Sequence, residues 1–432
     1  MNHSSGTRKT KGKNNSPLSL RHNFSWTLLS NVIYGVSQWA TIIALTKIGT
    51  PELVGLYTLG IAITNPILLL ANLNLRSVQV TDTKGEYNFN DYFTLRIWTS
   101  LTGVTLILCL SFSHFHVGTT GLIITLVGLN KSLEGVSDIF QGLLQQNERM
   151  DQVAWSVILR SLLSTFFVIG ILYLTHNFIL SLIGMILTNF FILFFYDIAS
   201  VSNILANRNI ESPFQQSLKF SVNLSKLTKL AIYSLPVGIL MMVLSLTLNI
   251  PRYFIEQYLG SRELGIFSAI SYPAIAGITF ITALGQSALP RLSRYYTENN
   301  RNLFQRLLVK MVGVGVMLGA IGLASSILWG KVLLSTMYKP EYSEHSSVLL
   351  WLMGWIATLY VSTFLSYGVS AARYFKTSLV LSSILVIIMF WACFWLVPKY
   401  GMTGAAISLT IGGCVQLLGN FVIIRHIVSR LN

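Results

Sequence analysis

Asn130-Lys131-Ser132-Leu133-Glu134-Gly135-Val136-Ser137-Asp138, running on to Gln141 and Gln145, lies inside an apolar segment long enough to cross a bilayer. Lys131, Glu134 and Asp138 are spaced i, i+3, i+7. At about 100° per residue they fall within about 60° of one another on a helix, and Gln141 and Gln145 extend the stripe. Three ionisable side chains on one face of a spanning helix are costly in hydrocarbon. That face must meet a wet cavity or other helices, which makes it a candidate functional surface.

The rest of the chain fits this reading. Hydrophobic residues make up 53% of it and charged residues 10%, where soluble domains carry about 25% charged residues. Mean hydropathy is +0.62. Apolar runs of about 20 residues recur throughout, which identifies an all-α polytopic membrane protein. The net charge of +15 would point to nucleic acid in a soluble protein; here its distribution reports topology instead, and no nucleic-acid partner is expected. Cys109, Cys393 and Cys414 sit in apolar segments, with no spacing that suggests a metal site or a disulfide framework.

Residues 1–23 are polar and basic, and read as a disordered cytoplasmic tail. The first apolar segment, 24–46, is too long for a signal-peptide core and lacks a small-residue cleavage site, so it reads as an uncleaved span. Twelve spans are expected, at 24–46, 53–75, 92–113, 119–146, 153–175, 178–200, 229–255, 264–289, 305–329, 346–370, 377–397 and 403–427. The longest polar connection, 201–228, falls at mid-chain, and 205–228 could lie on the inner surface as an amphipathic helix. With both termini inside, only Lys47, Arg252, Arg262, Lys331, Lys339 and Lys399 of the 30 basic residues fall on the outer side, with Lys131 left mid-span. That asymmetry favours cytoplasmic termini.

The two halves echo each other. Gly49-Thr50-Pro51-Glu52-Leu53-Val54-Gly55-Leu56 leads into span two, and Gly260-Ser261-Arg262-Glu263-Leu264-Gly265-Ile266 leads into span eight. Gln141-Gly142-Leu143 and Tyr367-Gly368-Val369 form a second echo. Six helices between repeats keep the same orientation, so parallel repeats are expected: a six-helix lobe over 24–200, a linker over 201–228 and a second lobe over 229–432, around a central cavity. Asn31 and Gln38 on span one, Asn65, Asn72 and Asn74 on span two, and Asn249-Ile250-Pro251-Arg252 on span seven are the polar groups expected to face it.

Four stretches carry a family resemblance: Gly49 to Asp82 with Asn74-Leu75-Arg76-Ser77; Lys131 to Met150; Asn249 to Tyr253 with Gly265-Ile266-Phe267 and Leu289-Pro290-Arg291-Leu292; and Gly401-Met402-Thr403-Gly404-Ala405-Ala406. Together they resemble the Wzx-like polysaccharide-transport branch of the multidrug/oligosaccharidyl-lipid/polysaccharide flippase superfamily. The resemblance implies a non-enzymatic transporter of a prokaryotic inner membrane. It would move undecaprenyl-pyrophosphate-linked oligosaccharides from the cytoplasmic to the outer leaflet by alternating access, for surface polysaccharide such as O-antigen. Membrane lipids, a polysaccharide polymerase and chain-length proteins are the partners it implies, with no cofactor. Such cargo needs a cation for the pyrophosphate, polar groups for the sugars and a gap for the lipid tail. Lys131 and Arg252 are the candidate cations, with Arg76 at the inner mouth; Asn31, Gln38, Asn72 and Asn249 are the candidate polar ligands. Glu134 and Asp138 are candidates to carry a coupling H⁺ or Na⁺.

Plainer roles stand beside these. Lys131, Glu134 and Asp138 could be ion pairs locking the fourth span to its neighbours. Arg252 could snorkel to the interface and pair with Glu256 at i, i+4, and Arg76 could be a positive-inside anchor. The asparagines could hydrogen-bond between helices. Two other classes remain in view. A cation-coupled multidrug exporter would share the lobes, though it would favour an acidic cavity. A polysaccharide polymerase or membrane acyltransferase would want a large outer loop or a His/Asp pair, and neither is visible.

Overall fold

The computed structural model describes residues 20–82, 85–114, 118–206 and 223–431. Among them the chain is helical: α1 (Leu20–Ile48), α2 (Pro51–Ala71), α3 (Leu75–Thr81), α4 (Phe89–His114), α5 (Thr119–Gln146), α6 (Met150–Thr175), α7 (Phe178–Ile192), a π-helical turn (Leu193–Asp197) and α8 (Ile198–Ala206). After these come α9 (Leu224–Leu259), α10 (Ser261–Ala276), α11 (Ile278–Thr297), α12 (Arg301–Met337), a 3₁₀ turn (Pro340–His345), α13 (Ser346–Ala371) and α14 (Phe375–Ser429). Most of the expected tail and surface helix lies outside the described residues. The described ends of both segments, 20–23 and 205–206 with 224–228, belong to helices instead.

Local sequence sets the boundaries. Pro51 opens α2 after an extended Thr50, because its fixed φ suits a first turn whose N–H needs no partner. Asn177, Asn223 and Asn300 cap α7, α9 and α12 by accepting backbone N–H bonds at 3.0–3.2 Å. At the end of α2, Leu73 and Asn74 take left-handed backbone (φ 51° and 47°), which breaks α2 from α3.

Nine helices are long and apolar enough to cross a membrane among the described residues, or ten if a pair bent by 45° counts as one. That pair, α10 and α11, covers the span expected at 264–289. Two differences from the expected spans have physical causes. The α5 helix matches the expected 119–146 but falls outside the nine, because its polar stripe lowers its hydropathy. The spans expected at 377–397 and 403–427 run together as α14, whose backbone leaves the helix at Gly401 (φ 59°, ψ −139°). Beyond that break the arms fold back: Gly412 lies against Met389 and Gly419 against Leu381. Gly401 thus closes a helical hairpin with one residue, at a backbone angle that side chains disfavour.

The α2 helix is the hub. It packs against α5, α9 and α10, while α1 packs on α6, α12 on α13, and α13 on α14. The largest apolar core gathers Leu45, Tyr57, Phe267, Phe304 and Phe364; a second, around α3 to α5, gathers Leu75, Phe93, Ile139 and Phe140. The two echoing stretches meet face to face. A Cβ on Gly55 would strike the carbonyl of Ser261, and one on Gly265 would strike the carbonyl of Pro51. The contact is reciprocal, since each glycine stands four residues beyond the carbonyl that its counterpart touches.

The π turn sets Asp197 in the bundle interior, with its side chain wholly buried. There it pairs with Arg160 of α6 at 2.8 Å, and both touch the Ser137 hydroxyl of α5. A charge at such depth is costly unless it is paired.

Two stability measurements follow, by thermal unfolding in detergent. Gly265→Ala should destabilise by about 1–3 kcal/mol through overpacking, while Gly313→Ala, with nothing within 4 Å, should not. Asp197→Ala should cost about 3–5 kcal/mol by leaving Arg160 uncompensated, and Arg160→Met/Asp197→Leu should recover most of that loss.

Candidate functional site

The α5 helix places its polar stripe where four other helices can reach it. Nearest its middle, Lys131 Nζ pairs with Glu134 Oε2 at 2.8 Å. Asn130 donates to the other Glu134 oxygen at 3.2 Å and itself accepts from Asn189 of α7 at 2.5 Å. One turn on, Asp138 accepts from Arg76 of α3 at 2.7 Å. Gln141 and Gln145 complete the clasp, each accepting from the same guanidinium at 3.0 Å. Glutamine and carboxylate oxygens at i, i+3 and i+7 thus converge on one arginine fork, as helical spacing allows. Asp82, at the end of α3, accepts from the backbone N–H of Tyr87 and Glu86 and from the Tyr92 hydroxyl. Burial alone would raise its carboxyl, but these bonds outweigh it and hold it below the usual range.

A cavity of about 590 Å³ opens beside the Lys131 end of the stripe. Asn31, Tyr34, Gln38 and Trp39 of α1, Asn65 of α2, Lys131 of α5, Arg252 of α9, and Tyr272 and Phe280 of α10 and α11 line it. A smaller recess of about 250 Å³ shares Asn31 and Tyr34 and adds Glu134, Asp138, Gln141 and Arg160. A third hollow of about 590 Å³, between α2, α4 and α9, is lined by apolar side chains such as Leu70, Leu106 and Met242 and holds no charge. The chemistry therefore belongs to the first two.

The two cavity cations differ in what already engages them. Lys131 is neutralised by Glu134. Arg252 donates to the Asn249 amide oxygen at 2.9 Å, and Asn249 is fixed by the Ser245 carbonyl at 2.9 Å. The expected Arg252–Glu256 pair does not form: Glu256 accepts from the Ser261 hydroxyl, at the start of the next helix, at 2.8 Å, and its other oxygen is buried without a hydrogen-bond partner among the described residues. Among the described residues, Arg252 has no carboxylate partner and faces the cavity with a full positive charge.

The structure thus brings Asn31, Gln38, Lys131 and Arg252 together on one cavity, with Glu134 and Asp138 in the adjoining recess. Asn249 stands behind Arg252 as its support. Arg76 sits at the far end of the recess's charge row, outside the cavity lining. Asn72 lies against Gly135 in the seam between α2 and α5, also away from the cavity. Sequence reasoning passed over Asp197 and Arg160, although a lone acid inside an apolar run was a visible signal. It also passed over Tyr34, Trp39 and Tyr272, because pattern alone cannot separate a cavity-facing aromatic from a lipid-facing one. Trp39 is held by the Tyr338 hydroxyl at 3.1 Å, which in turn donates to the Ala269 carbonyl.

Comparison with known proteins agrees with this architecture. Residues 20–296 match the model of the family described as polysaccharide biosynthesis protein. The chain is 28% identical over 405 residues to the capsular polysaccharide biosynthesis protein CapF of Staphylococcus aureus, covering 94% of this chain and 99% of that one. Its fold is similar to an inward-facing multidrug resistance MATE family transporter of the MOP superfamily (TM-score 0.72, 15% identity, 92% and 95% of the chains covered). It is equally similar to the lipid II flippase MurJ in an inward closed conformation (TM-score 0.72, 14% identity, 93% and 87% covered). The chain belongs to the polysaccharide biosynthesis protein family.

Proposed function

We propose that this protein flips an undecaprenyl-pyrophosphate-linked oligosaccharide from the cytoplasmic to the outer leaflet of a prokaryotic inner membrane. The observation that carries the reading is Arg252, a guanidinium in a cavity wall without a carboxylate partner among the described residues. In a low-dielectric cavity such a charge draws an anion, and its planar fork suits phosphate oxygens. Lys131 adds a second cation once Glu134 releases it. Asn31, Gln38 and Asn65 offer hydrogen bonds to hydroxyl-rich sugars from the same walls.

The lipid tail has a route as well. Val36 of α1 and Phe280 of α11 line the cavity and are 57% and 52% exposed, so this part of its wall is apolar and open. The head group can sit inside while the tail stays among membrane lipids. Two six-helix lobes, over 24–200 and 229–432, would rock about this site, with the Gly55–Gly265 contact closing its outer side. Glu134 and Asp138 would couple the cycle to H⁺ or Na⁺, being acids whose cationic partners are also the candidate phosphate ligands.

The test is translocation of lipid-linked oligosaccharide in reconstituted vesicles. Arg252→Ala and Lys131→Ala should each slow transport by at least about tenfold while inserting normally. Arg252→Lys should recover only part of the rate, since an ammonium cannot replace the fork. Full transport by both alanine variants would overturn the phosphate-binding role. No transport of any pyrophosphate lipid by the wild type would favour a drug exporter.

A further inference from the structure

Two prolines interrupt helices that wall the cavity. Pro66 lies inside α2 and Pro273 inside α10, the two helices that carry the echoing stretches. A proline has no N–H, so the carbonyl four residues before it loses its helical donor. Those carbonyls belong to Ala62 and Ala269. Each accepts instead from a tyrosine hydroxyl. Tyr253 of α9 donates to Ala62, and Tyr338, just after α12, donates to Ala269 at 2.8 Å. The first bond joins residues 191 apart and so ties the two halves of the chain. The second reaches across as well, because the Tyr338 hydroxyl accepts from Trp39 of α1 at 3.1 Å.

Neither carbonyl has an easy substitute for its tyrosine. Pro66 and Tyr253 line the apolar hollow between α2, α4 and α9, and Ala269 and Tyr338 are buried in the main core. Lipid offers no donor, so membrane helices carry a proline only where neighbouring groups satisfy the carbonyl it frees. Tyr367 gives the contrast. It donates to the Thr282 carbonyl at 3.2 Å, but residue 286 is glutamine, whose backbone N–H can serve that carbonyl already.

Both bonds frame the cavity. Asn65 precedes Pro66, Tyr272 precedes Pro273 and Arg252 precedes Tyr253; all three line the cavity, as does Trp39. We propose that Tyr253 and Tyr338 are positioning residues: their hydroxyls stand in for the N–H groups that Pro66 and Pro273 lack, and the bends so held set Asn65, Trp39, Arg252 and Tyr272 on the cavity wall. Each proline supplies its bend, because its ring crowds the carbonyl four residues back. Each tyrosine then satisfies that carbonyl and ties the bend to the opposite half of the chain. A straight α2 would need no tyrosine, but it would present Asn65 differently. Neither hydroxyl has to touch cargo.

The test is a pair of double-mutant cycles on the full chain, read by thermal unfolding and by transport of lipid-linked oligosaccharide in reconstituted vesicles. Tyr253→Phe should lower the unfolding temperature. It should also raise KM about three- to tenfold, as loss of one interhelical hydrogen bond in a membrane implies. Pro66→Ala restores the missing N–H, so in that background Tyr253→Phe should cost little further stability. Transport by Pro66→Ala/Tyr253→Phe should stay impaired, because α2 has lost its bend. A role confined to stability would instead recover both readouts together. Tyr338→Phe with Pro273→Ala should behave in the same way, and decides the matter if Pro66→Ala fails to fold. An equal loss of stability from Tyr253→Phe with and without Pro66 would overturn the proposal, and so would wild-type transport by the double variant. If wild type moves no pyrophosphate lipid, the proposed function falls, while the thermal cycles still decide whether each hydroxyl and proline act as a pair.

Discussion

Every charge on the inward face of α5 must be neutralised inside a low-dielectric bundle, and that requirement organises the first half of the molecule. Glu134 takes Lys131 from its own helix, Asp138 takes Arg76 from α3, and Ser137 bridges Arg160 of α6 to Asp197 of the π turn. The partners come from different elements, so the ion pairs fix which helices lie beside α5 and at what depth. The π turn fits this scheme: by adding a residue to one turn, it rotates the following helix and lets Asp197 meet Arg160.

The second half has a different character. Its helices bury side chains such as Phe304, Phe364 and Cys393 in an apolar core, and its main charge near the cavity is Arg252. Arg252 differs from the α5 cations in lacking an internal acid among the described residues. The cavity thus sits between a wall whose charges are already balanced and a wall with one charge left over. This imbalance leaves positive charge on that wall, while Glu256, one turn from Arg252, bonds the Ser261 hydroxyl at the neighbouring helix end.

Much of this was legible in the sequence. The i, i+3, i+7 stripe on α5 follows from spacing alone, and so does its extension through Gln141 and Gln145, which the structure turns toward Arg76. Apolar run lengths gave α5, α6 and α13 nearly to the residue. The echo of Gly49–Leu56 in Gly260–Ile266 foretold two related segments, and the structure adds that they touch. Partner choice was not legible. Arg252 has Asn249 and Glu256 at similar helical spacing, yet it bonds Asn249, while Glu256 takes a hydroxyl from Ser261 of another helix. Arg96, fully buried in the structure, counted in the sequence as one more inner cation, because burial is a property of the neighbours. The break between α2 and α3 was hidden for the same reason: Leu73 gives no hint of left-handed backbone.

The single-residue hairpin at Gly401 bears on how the chain enters the membrane. Its two arms lie back to back from Leu381 and Met389 to Gly419 and Gly412, with no loop between them to rest at the surface while one arm waits for the other. A connection this short favours their entry into the bilayer as a pair. The backbone groups at the turn are then the only ones to cross ahead of the helical hydrogen bonding, a smaller crossing penalty than a polar loop would impose. A reporter tag inserted at this turn would therefore alter the assembly route it was meant to map.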